Sequence, residues 1–414
     1  MQYARFLLPS LHIKMILDMP TIFERREALK ILPTDLYKSF QSILTRIKGQ
    51  PKSKADLGMC TLMWLHFARR PLKLVELQHA LAVKKKHVEF EASNIPSLKV
   101  LLDCCVGLVL VDEETLTVRF THFTLEEFFR DNAGSEFPNG CSSIAETCLT
   151  YLNFAGLRQH CPNLDSLEEK STQYALLNYA ALYWGAYVKQ QCSDSLMELA
   201  RGVLEHESER PPCAIQALYF HISQKESLAK RFSGIHVAAY FGLNETVANL
   251  SLGTVELKDE TDRTPISWAA GNGHEGVVRR LIERSDVDVD AKDDCGSTPL
   301  IWAAENGHET VVRLLIERDD VDINAKDNQG KTPLICAAKR GREAVVSLLI
   351  ERDDVDIGAM DNEGKTALSW AVAGVEAPSP RDDAEGLQAV VRLLNGRCGV
   401  QAGGSDTAPA TPLL

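Results

Sequence analysis

The stretch Thr298-Pro299-Leu300-Ile301-Trp302-Ala303-Ala304 decides the fold of this chain, because related copies of it recur at a fixed spacing. The other copies begin at Thr264, Thr332 and Thr366, and each Thr lies 34 residues after the previous one. A period of this size is typical of a solenoid, in which stacked units bury apolar faces that one unit could not bury alone.

Each copy predicts two short helices and a turn. Thr is a favourable N-cap, and Pro at the next position suits the first helical turn. A glycine such as Gly307 ends the first helix, and Val311, Val312, Leu315 and Ile316 then form an apolar stripe on a second helix. A polar turn such as 327–330 leads into the next copy.

These copies resemble the ankyrin repeat, whose pattern Thr-Pro-Leu…Ala-Ala…Gly-His includes Gly273-His274 and Gly307-His308. The third copy has Gly341-Arg342 instead, a degenerate copy begins at Gly234, and the last has Val375 where the others have Gly. About five copies are expected over 231–402, near 231–262, 263–296, 297–330, 331–364 and 365–400. The resemblance implies binding of other proteins through the concave surface of an α-solenoid.

Composition restricts the function classes. The 414 residues carry a formal net charge of −12, which argues against nucleic acid as a partner. The 11 Cys residues include no Cys-x-x-Cys pair, so a reducing compartment is expected. No run approaches the roughly 20 apolar residues of a membrane helix. We expect a soluble protein of the cytoplasm, or alternatively the nucleus, that does not bind membranes.

The first 135 residues predict a helical segment at 1–48 and a winged helix at 49–135. The segment contains helices Phe6–Met19, Phe23–Ile31 and Leu36–Lys48. In the winged helix, three helices come first. Two β-branched runs around an acidic turn then predict a β-hairpin, and a fourth helix follows the hairpin. The three are 55–69, 72–82 and 96–105, the runs are 106–111 and 116–120, and the last helix starts at His122. The third helix has only Lys99 as a basic residue, which disfavours reading of DNA bases.

A larger resemblance covers most of the chain. The runs 69–77 and 108–124 look like fungal NACHT–ankyrin proteins, signalling NTPases related to NLR immune receptors, in which such a winged helix follows the nucleotide-binding core. A similar winged helix is named after a GPI inositol-deacylase-like family. His122 is similar in placement to a histidine that contacts nucleotide in some relatives, but a packing or capping role is expected here.

The remaining segments complete a mostly α fold class. Residues 136–230 predict a helical connecting region with helices 144–154, 176–191, 196–205 and 212–223. Its aromatic residues Tyr174, Tyr179, Tyr183 and Trp184 are interpreted as core, with a ligand pocket as the alternative. Gly, Ser, Thr and Pro dominate 403–414, which we expect to be a disordered tail.

Several strings imitate active sites. Gly330-Lys331-Thr332 and Gly364-Lys365-Thr366 resemble the end of a phosphate loop, but Ala325 and Ala359 stand where its first Gly is required. The acidic strings 286–290 and 320–324 imitate a calcium loop without its central Gly and closing Glu. We expect no catalytic residue, no metal site and no cofactor, and therefore no enzyme.

Candidate partner-binding residues follow from their place on hairpin tips and first helices. They are Asp294, Ser297, Glu305, Asn306, Asn328, Gln329, Lys331, Lys339, Arg340, Asn362, Glu363 and Lys365. The alternative is that they are polar turn and surface residues. We hypothesise that Lys339 and Arg340 form the electrostatic centre, as surface cations whose reversal to Glu leaves the melting temperature nearly unchanged. Trp268, Trp302 and Trp370 recur in register and predict a ladder packed between repeats, with a hot-spot role at an interface as the alternative.

These patterns favour a non-catalytic protein-interaction scaffold or sensor, similar to the sensor half of a fungal NLR-like receptor. The alternative is a truncated signalling NTPase whose nucleotide-binding core is missing from this chain. Ankyrin surfaces serve many targets on one scaffold, so the partner's identity does not follow from the repeats.

Overall fold

The computed structural model describes residues 21–24, 36–85, 87–191, 193–205, 210–223, 228–249, 257–376 and 383–402. The predicted helix Phe6–Met19, most of Phe23–Ile31 and the tail 403–414 lie outside these residues. The chain divides into two compact units, Met1–Val203 with Pro212–Leu228 and Leu204–Pro211 with Ala229–Leu414. The described residues are mostly helical, which confirms the predicted fold class.

The first unit contains eleven α-helices and three strands among its described residues. The helices are α1 (Leu36–Lys48), α2 (Lys52–Phe67), α3 (Leu74–Ala82), α4 (Leu98–Cys104), α5 (Phe123–Glu136), α6 (Gly140–Leu152), α7 (Ala155–Arg158), α8 (Leu164–Gln173), α9 (Leu177–Gln190), α10 (Asp194–Leu204) and α11 (Cys213–Ile222). The strands are β1 (Leu72–Lys73), β2 (Val109–Val111) and β3 (Thr117–Phe120). The short helices α7 and α8 were absent from the sequence prediction.

The three strands form the sheet of the winged helix. Their order is β1-β3-β2 and both pairings are antiparallel, with Leu72 opposite Val118 and Val109 opposite Phe120. The predicted hairpin is therefore confirmed, but the prediction that helix begins at Leu72 is wrong. Lys73 has an extended backbone, and its N–H donates to the Glu76 carboxylate at 2.8 Å in a capping box that delays the helix.

His122 lies at the junction between β3 and α5. Its Nδ1 accepts a hydrogen bond from the Thr124 backbone N–H at 3.2 Å, so the ring serves as the N-cap of α5. The expected capping role is confirmed.

Three of the four aromatic residues interpreted as core in the connecting region are buried, and the fourth, Tyr183, is half-buried. Tyr179 and Trp184 on α9 are at most 1% exposed, and Tyr174 is 9% exposed. The hydroxyls of Tyr179 and Tyr187 lie 2.7 Å apart, and Tyr187 Oη donates to the Phe67 carbonyl at 2.8 Å. These buried hydroxyls are thus satisfied, which is what burial of Tyr requires.

Among its described residues, the second unit stacks five pairs of helices. The pairs are α12 (Gly234–Phe241) with α13 (Asn244–Asn249), α14 (Pro265–Gly271) with α15 (Glu275–Ile282), α16 (Pro299–Asn306) with α17 (Glu309–Ile316), α18 (Pro333–Lys339) with α19 (Glu343–Ile350), and α20 (Ala367–Glu376) with α21 (Ala384–Ala402). The first helices of the pairs contact one another in sequence order, and so do the second helices. Five helix pairs thus fall within the predicted repeat region 231–402, and the exact bounds of the copies stay a prediction.

The repeated sequence explains each helix boundary. Thr298 Oγ1 accepts from the Ile301 N–H at 3.3 Å, and Thr332 does the same for Ile335. Gly307, with φ of 81°, ends α16 in the left-handed conformation that favours glycine. On α17, Val311, Val312 and Leu315 are 0% exposed, so the predicted apolar stripe is buried.

The three tryptophans share a polar contact that recurs at the same sequence spacing. The indole N–H of Trp268 donates to Asp259 at 2.8 Å, that of Trp302 to Asp293 at 2.8 Å, and that of Trp370 to Asp361 at 2.7 Å. Each indole N–H is thus engaged within its own repeat, and Trp268 is buried, whereas Trp302 and Trp370 are half-buried.

A second series of contacts ties each repeat to the one before it. The Nε2 of His274 lies 2.8 Å from the Tyr240 carbonyl, and that of His308 lies 3.0 Å from the Gly271 carbonyl. Arg342, which replaces the histidine in the third regular copy, donates to the Glu305 carbonyl at 3.1 Å. The guanidinium thus preserves the contact that the change from His would otherwise remove.

His236 in α12 predicts a pH dependence of stability. The side chain is 0% exposed, its Nδ1 accepts from the Ser233 N–H at 3.1 Å, and its Nε2 lies 3.0 Å from the Leu257 carbonyl. Burial lowers the pKa of His236 from its ordinary value, although the Asp259 carboxylate acts in the opposite sense. As the pH falls below the ordinary pKa of histidine, His236 therefore becomes protonated in the unfolded chain but stays neutral in the folded chain.

Stability gained from neutral His236 should accordingly be full at neutral pH and be lost on acidification. Between about pH 7 and about pH 5 we expect its contribution to the unfolding free energy to fall by about 1–2 kcal/mol. Urea melts of His236→Gln should show a flatter pH profile than the unsubstituted chain. The exposed His87→Gln is the matched control, and identical slopes in both variants would contradict the assignment.

Across the described residues, no helix combines the length and the apolar character needed to span a bilayer.

Candidate protein-binding surface of the repeat stack

The polar turns between repeats align into a continuous ladder. The backbone N–H of Asp294 donates to the Thr261 carbonyl at 2.8 Å, that of Asn328 to Cys295 at 2.9 Å, and that of Asn362 to Gln329 at 2.9 Å. We call residues 294–295, 328–329 and 362–363 the tips. Because each tip is hydrogen-bonded to its predecessor, their exposed side chains form one edge of a rigid surface.

The asparagines predicted as partner-binding residues help to build this ladder. Asn328 Nδ2 donates to the Asp294 carbonyl at 2.9 Å, and Asn362 Nδ2 donates to the Asn328 carbonyl at 3.1 Å. Asn306, on a first helix, donates to the Gly271 carbonyl at 3.0 Å. All three are exposed, yet their amide groups are engaged between repeats.

Two predicted surface residues are buried. Ser297 and Lys331, which precede Thr298 and Thr332, are each 8% exposed, whereas Lys365 at the corresponding position before Thr366 is half-buried. The prediction that they offer accessible side chains is therefore wrong for these two positions. The Lys331 ammonium is nevertheless satisfied, since it donates to the Gln329 side-chain oxygen.

The hypothesis that Lys339 and Arg340 act together as surface cations needs a correction. Arg340 donates through Nη2 and Nε to Glu305 Oε1 at 2.8 and 3.1 Å, and the two side chains are only 18% and 29% exposed. Reversal of Arg340 to Glu would place two carboxylates together, so its charge contributes to cohesion between repeats. Lys339 is half-buried, and its role as an electrostatic centre stays a prediction.

Three lysines gather around one indole. The ammonium groups of Lys331, Lys339 and Lys365 lie 5.0, 4.4 and 4.2 Å from the centre of the Trp370 ring. Lys365 also pairs with Glu363 at 2.8 Å on the adjoining tip. Burial and the neighbouring cations Lys331 and Arg340 lower the pKa of the Lys339 ammonium. Lys331 and Arg340 thus place positive charge beside Lys339, with Glu305 acting in the opposite sense, in a chain whose net charge is negative.

Arg263 occupies the place that corresponds to Lys331 two repeats earlier in the stack, and its role was not predicted from the sequence. Its guanidinium lies 3.9 Å from the centre of the Trp268 ring and 4.1 Å from that of Trp302. Arginine stacks well on aromatic faces, so this sandwich joins two repeats. Alignment of the copies at their 34-residue period would have placed Arg263, Ser297, Lys331 and Lys365 in one register.

The strings that imitate active sites have structural roles. Thr332 caps α18 and Thr366 Oγ1 accepts from the Ser369 N–H at 3.3 Å, so the two Gly-Lys-Thr strings are helix starts. In the acidic strings, Asp290 Oδ2 accepts from the Asp322 N–H at 2.7 Å, and Asn324 Oδ1 accepts from the Asp356 N–H at 2.8 Å. These side chains therefore connect successive repeats.

Asp293, Asp294 and Cys295 bring potential metal-ligand atoms within 4.8 Å of one another. Asp293 Oδ1 accepts from the N–H groups of Cys295 and Ser297, and its Oδ2 accepts from Trp302. The carboxylate is therefore used by the turn itself, and the group carries no argument for a metal.

Two clefts lie among the described residues of the first unit. One, of about 420 Å³, is lined by Arg69, Arg70, Arg119 and Arg130 together with Glu126. Arg70 is bound by Glu76 at 2.7 Å, and Arg119 lies 3.0 Å from Asp112. The other, of about 580 Å³, includes Cys60, Lys84 and Lys85, and Lys85 pairs with Glu146 at 2.6 Å. Much of the charge in both clefts is therefore already neutralised within the protein.

Comparison with known families agrees with this architecture. Residues 235–327 and 319–377 match ankyrin repeats, and residues 40–138 match the winged helix domain of GPI inositol-deacylase. No curated protein matches the chain. The chain therefore contains ankyrin repeats and a winged-helix domain of this kind, and ankyrin repeats support a role in protein interaction.

Proposed function

We propose that this chain is a non-catalytic protein-interaction scaffold or sensor that binds a partner protein through the concave surface of its ankyrin repeats. The single observation that carries the proposal is the ladder of tips, which fixes side chains from three successive repeats in one register. A rigid surface binds with little cost of ordering its own groups. The sensor half of a fungal NLR-like receptor remains the family resemblance that fits this arrangement.

The proposal gives the chain no enzymatic activity and no cofactor. The strings that most resemble nucleotide and calcium loops are occupied by helix capping and by contacts between repeats. We also propose that the winged helix does not read DNA. Its third helix, α4, exposes the apolar side chains of Leu98 and Val100 beside Lys99, whereas base edges are read by polar and basic side chains. A cytoplasmic or nuclear location would suit these roles.

Photocrosslinking from the surface tests the proposed function. A photoreactive residue replacing Gln329, an exposed tip residue, should give a discrete crosslinked partner in cells. The matched site is Thr310, which is exposed on the second helix α17 and lies outside the tips. Crosslinks of the same pattern from both sites, or none from Gln329, would show that the tips are not the working surface.

A second candidate function is that of a signalling NTPase whose nucleotide-binding core is not in this chain. The match of residues 40–138 to a winged helix of the kind expected beside such cores favours it. Reading the coding sequence upstream of the Met1 codon for an in-frame Gly-x4-Gly-Lys-Ser/Thr would decide between the two.

Both candidates make the same prediction for the chain itself. Titration with ATP or GTP and magnesium in a calorimeter should give no saturable heat, because a phosphate-cradling loop requires glycines where Ala325 and Ala359 stand. A site of micromolar affinity in the purified chain would refute this expectation.

A further inference from the structure

Side chains at the repeated Trp position follow one another along the stack of repeats, and we call the space between two successive ones a slot. These slots differ between early and late repeats. The first slot is closed, because Arg263 fills the space between the Trp268 and Trp302 rings. In the third regular copy Cys336 stands where the other copies have Trp, and it is 6% exposed. The cations that follow in the stack therefore have an indole on one side only, that of Trp370.

The charges around Trp370 are unevenly paired. Lys365 has Glu363 at 2.8 Å, and Lys331 donates to an uncharged amide oxygen of Gln329. For Lys339, the described residues provide no carboxylate within ion-pair distance, and its neighbours of the same sign are Lys331 and Arg340. Asp361, which is buried, accepts from the Trp370 indole N–H at 2.7 Å, and Glu305 acts on Lys339 from beyond ion-pair distance. Lys339, which is only partly buried and has no ion pair among the described residues, can still attract an anion from outside.

We propose that Lys339 and Lys365, with Lys331 beneath them over the Trp370 indole, form the binding position for a carboxylate on an acidic segment of the partner protein. The proposal rests on the proposed function, in which this surface binds proteins. A lysine ammonium is a compact charge on a flexible stem, so two of them can close on one carboxylate. Trp370, which is half-buried, supplies an apolar face beside the charge, and tryptophan is enriched at binding hot spots.

Selectivity follows from the contrast between this cluster and the rest of the molecule. The formal net charge of −12 repels acidic chains in general, so an acidic segment should bind only where cations are concentrated. Arg340 holds the Glu305 carboxylate in an ion pair, so Glu305 does not neutralise the nearby lysines by direct contact. The salt dependence of binding should be steep, because charges at a protein surface are screened.

The test measures binding of the full chain to a fluorescent peptide of about a dozen residues in which Glu alternates with Gly. The control is the same peptide with every Glu replaced by Gln. Anisotropy at low salt should show saturable binding of the Glu peptide only. Lys339→Gln should weaken it by about fivefold, and Lys339→Gln with Lys365→Gln by about tenfold or more. Arg313→Gln removes the same charge from an exposed position on α17 and should bind like the unsubstituted chain.

The outcomes separate this proposal from the proposed function. Unchanged melting temperatures of the variants establish that folding is intact. No saturable binding of the Glu peptide, equal binding of the Gln peptide, or equal affinity in the Lys339 variants would overturn the carboxylate site. Binding of a phosphoserine peptide without binding of the Glu peptide would overturn it in favour of phosphate. If any of these results comes with a persistent crosslink from Gln329, the proposed function stands and only this proposal fails.

Discussion

Leu315→Ala should lower the free energy of unfolding of the repeat stack by about 2–5 kcal/mol, the usual cost of truncating a buried leucine. Leu315 lies on the apolar stripe of α17 and is 0% exposed. Its neighbouring stripe residues Val311 and Val312 are equally buried, and the second helices on either side, α15 and α19, both contact α17. Because helices on both sides hold α17 in place, the cavity left by the Leu315→Ala substitution can collapse only in part.

Glu317→Ala provides the matched control for this prediction. Glu317 follows α17 directly and is exposed, so its replacement should change stability by no more than about 0.5 kcal/mol. Denaturant melts of the two variants should be compared with hydrogen exchange of the α17 amides, because a repeat stack can open locally. Equal effects of the two substitutions would mean that the helix faces are wrongly assigned.

Gly330→Ala should also be strongly destabilising, by about 2–4 kcal/mol, for two separable reasons. Its φ of 79° lies in the left-handed region that side chains avoid. In addition, an added Cβ would lie 2.5 Å from Asn362 Oδ1 and 2.9 Å from the Asn362 backbone nitrogen. The second reason acts on the ladder of tips, because that nitrogen donates to the Gln329 carbonyl.

Gly364→Ala isolates the first reason. Gly364 has a φ of 75°, and nothing lies within 4 Å of the position its Cβ would take. We expect this variant to cost about 1–2 kcal/mol from the backbone alone. The difference between the two variants in thermal or urea melts then measures the clash at the tip. Equal losses of stability would show that the tips do not constrain one another.

The sequence predicted the structure best in the repeats, where each copy needs the same helix caps and the same apolar face. The Thr N-caps, the helix-ending glycines and the stripe that includes Leu315 follow from local chemistry, and their period identified the stack. Boundaries set by contacts distant in sequence were less accurate. Leu72 and Lys73 read as helix in the sequence but pair with β3, because strand pairing outweighs the local helical preference of so short a segment.

The candidate surface shows the same division. The sequence period placed the twelve candidate residues on hairpin tips and first helices. The same residue types, however, either bind a neighbouring repeat or remain available to a partner. Asn328 and Asn362 donate their amides to the preceding tips, and Arg340 is committed to Glu305. The sequence pattern could not distinguish these residues from Lys339, since the partner of each side chain lies about one repeat away.

What the sequence determined by itself is the identity and order of the repeating units and the class of the winged helix. These depend on local propensity and on hydrophobic period, which one chain segment carries within itself. Only the tertiary structure decided which polar side chains remain available. The burial of Lys331, the closed Arg263 slot and the lysines around Trp370 arise when neighbouring repeats stack, because stacking fixes the distance between charges that belong to different copies.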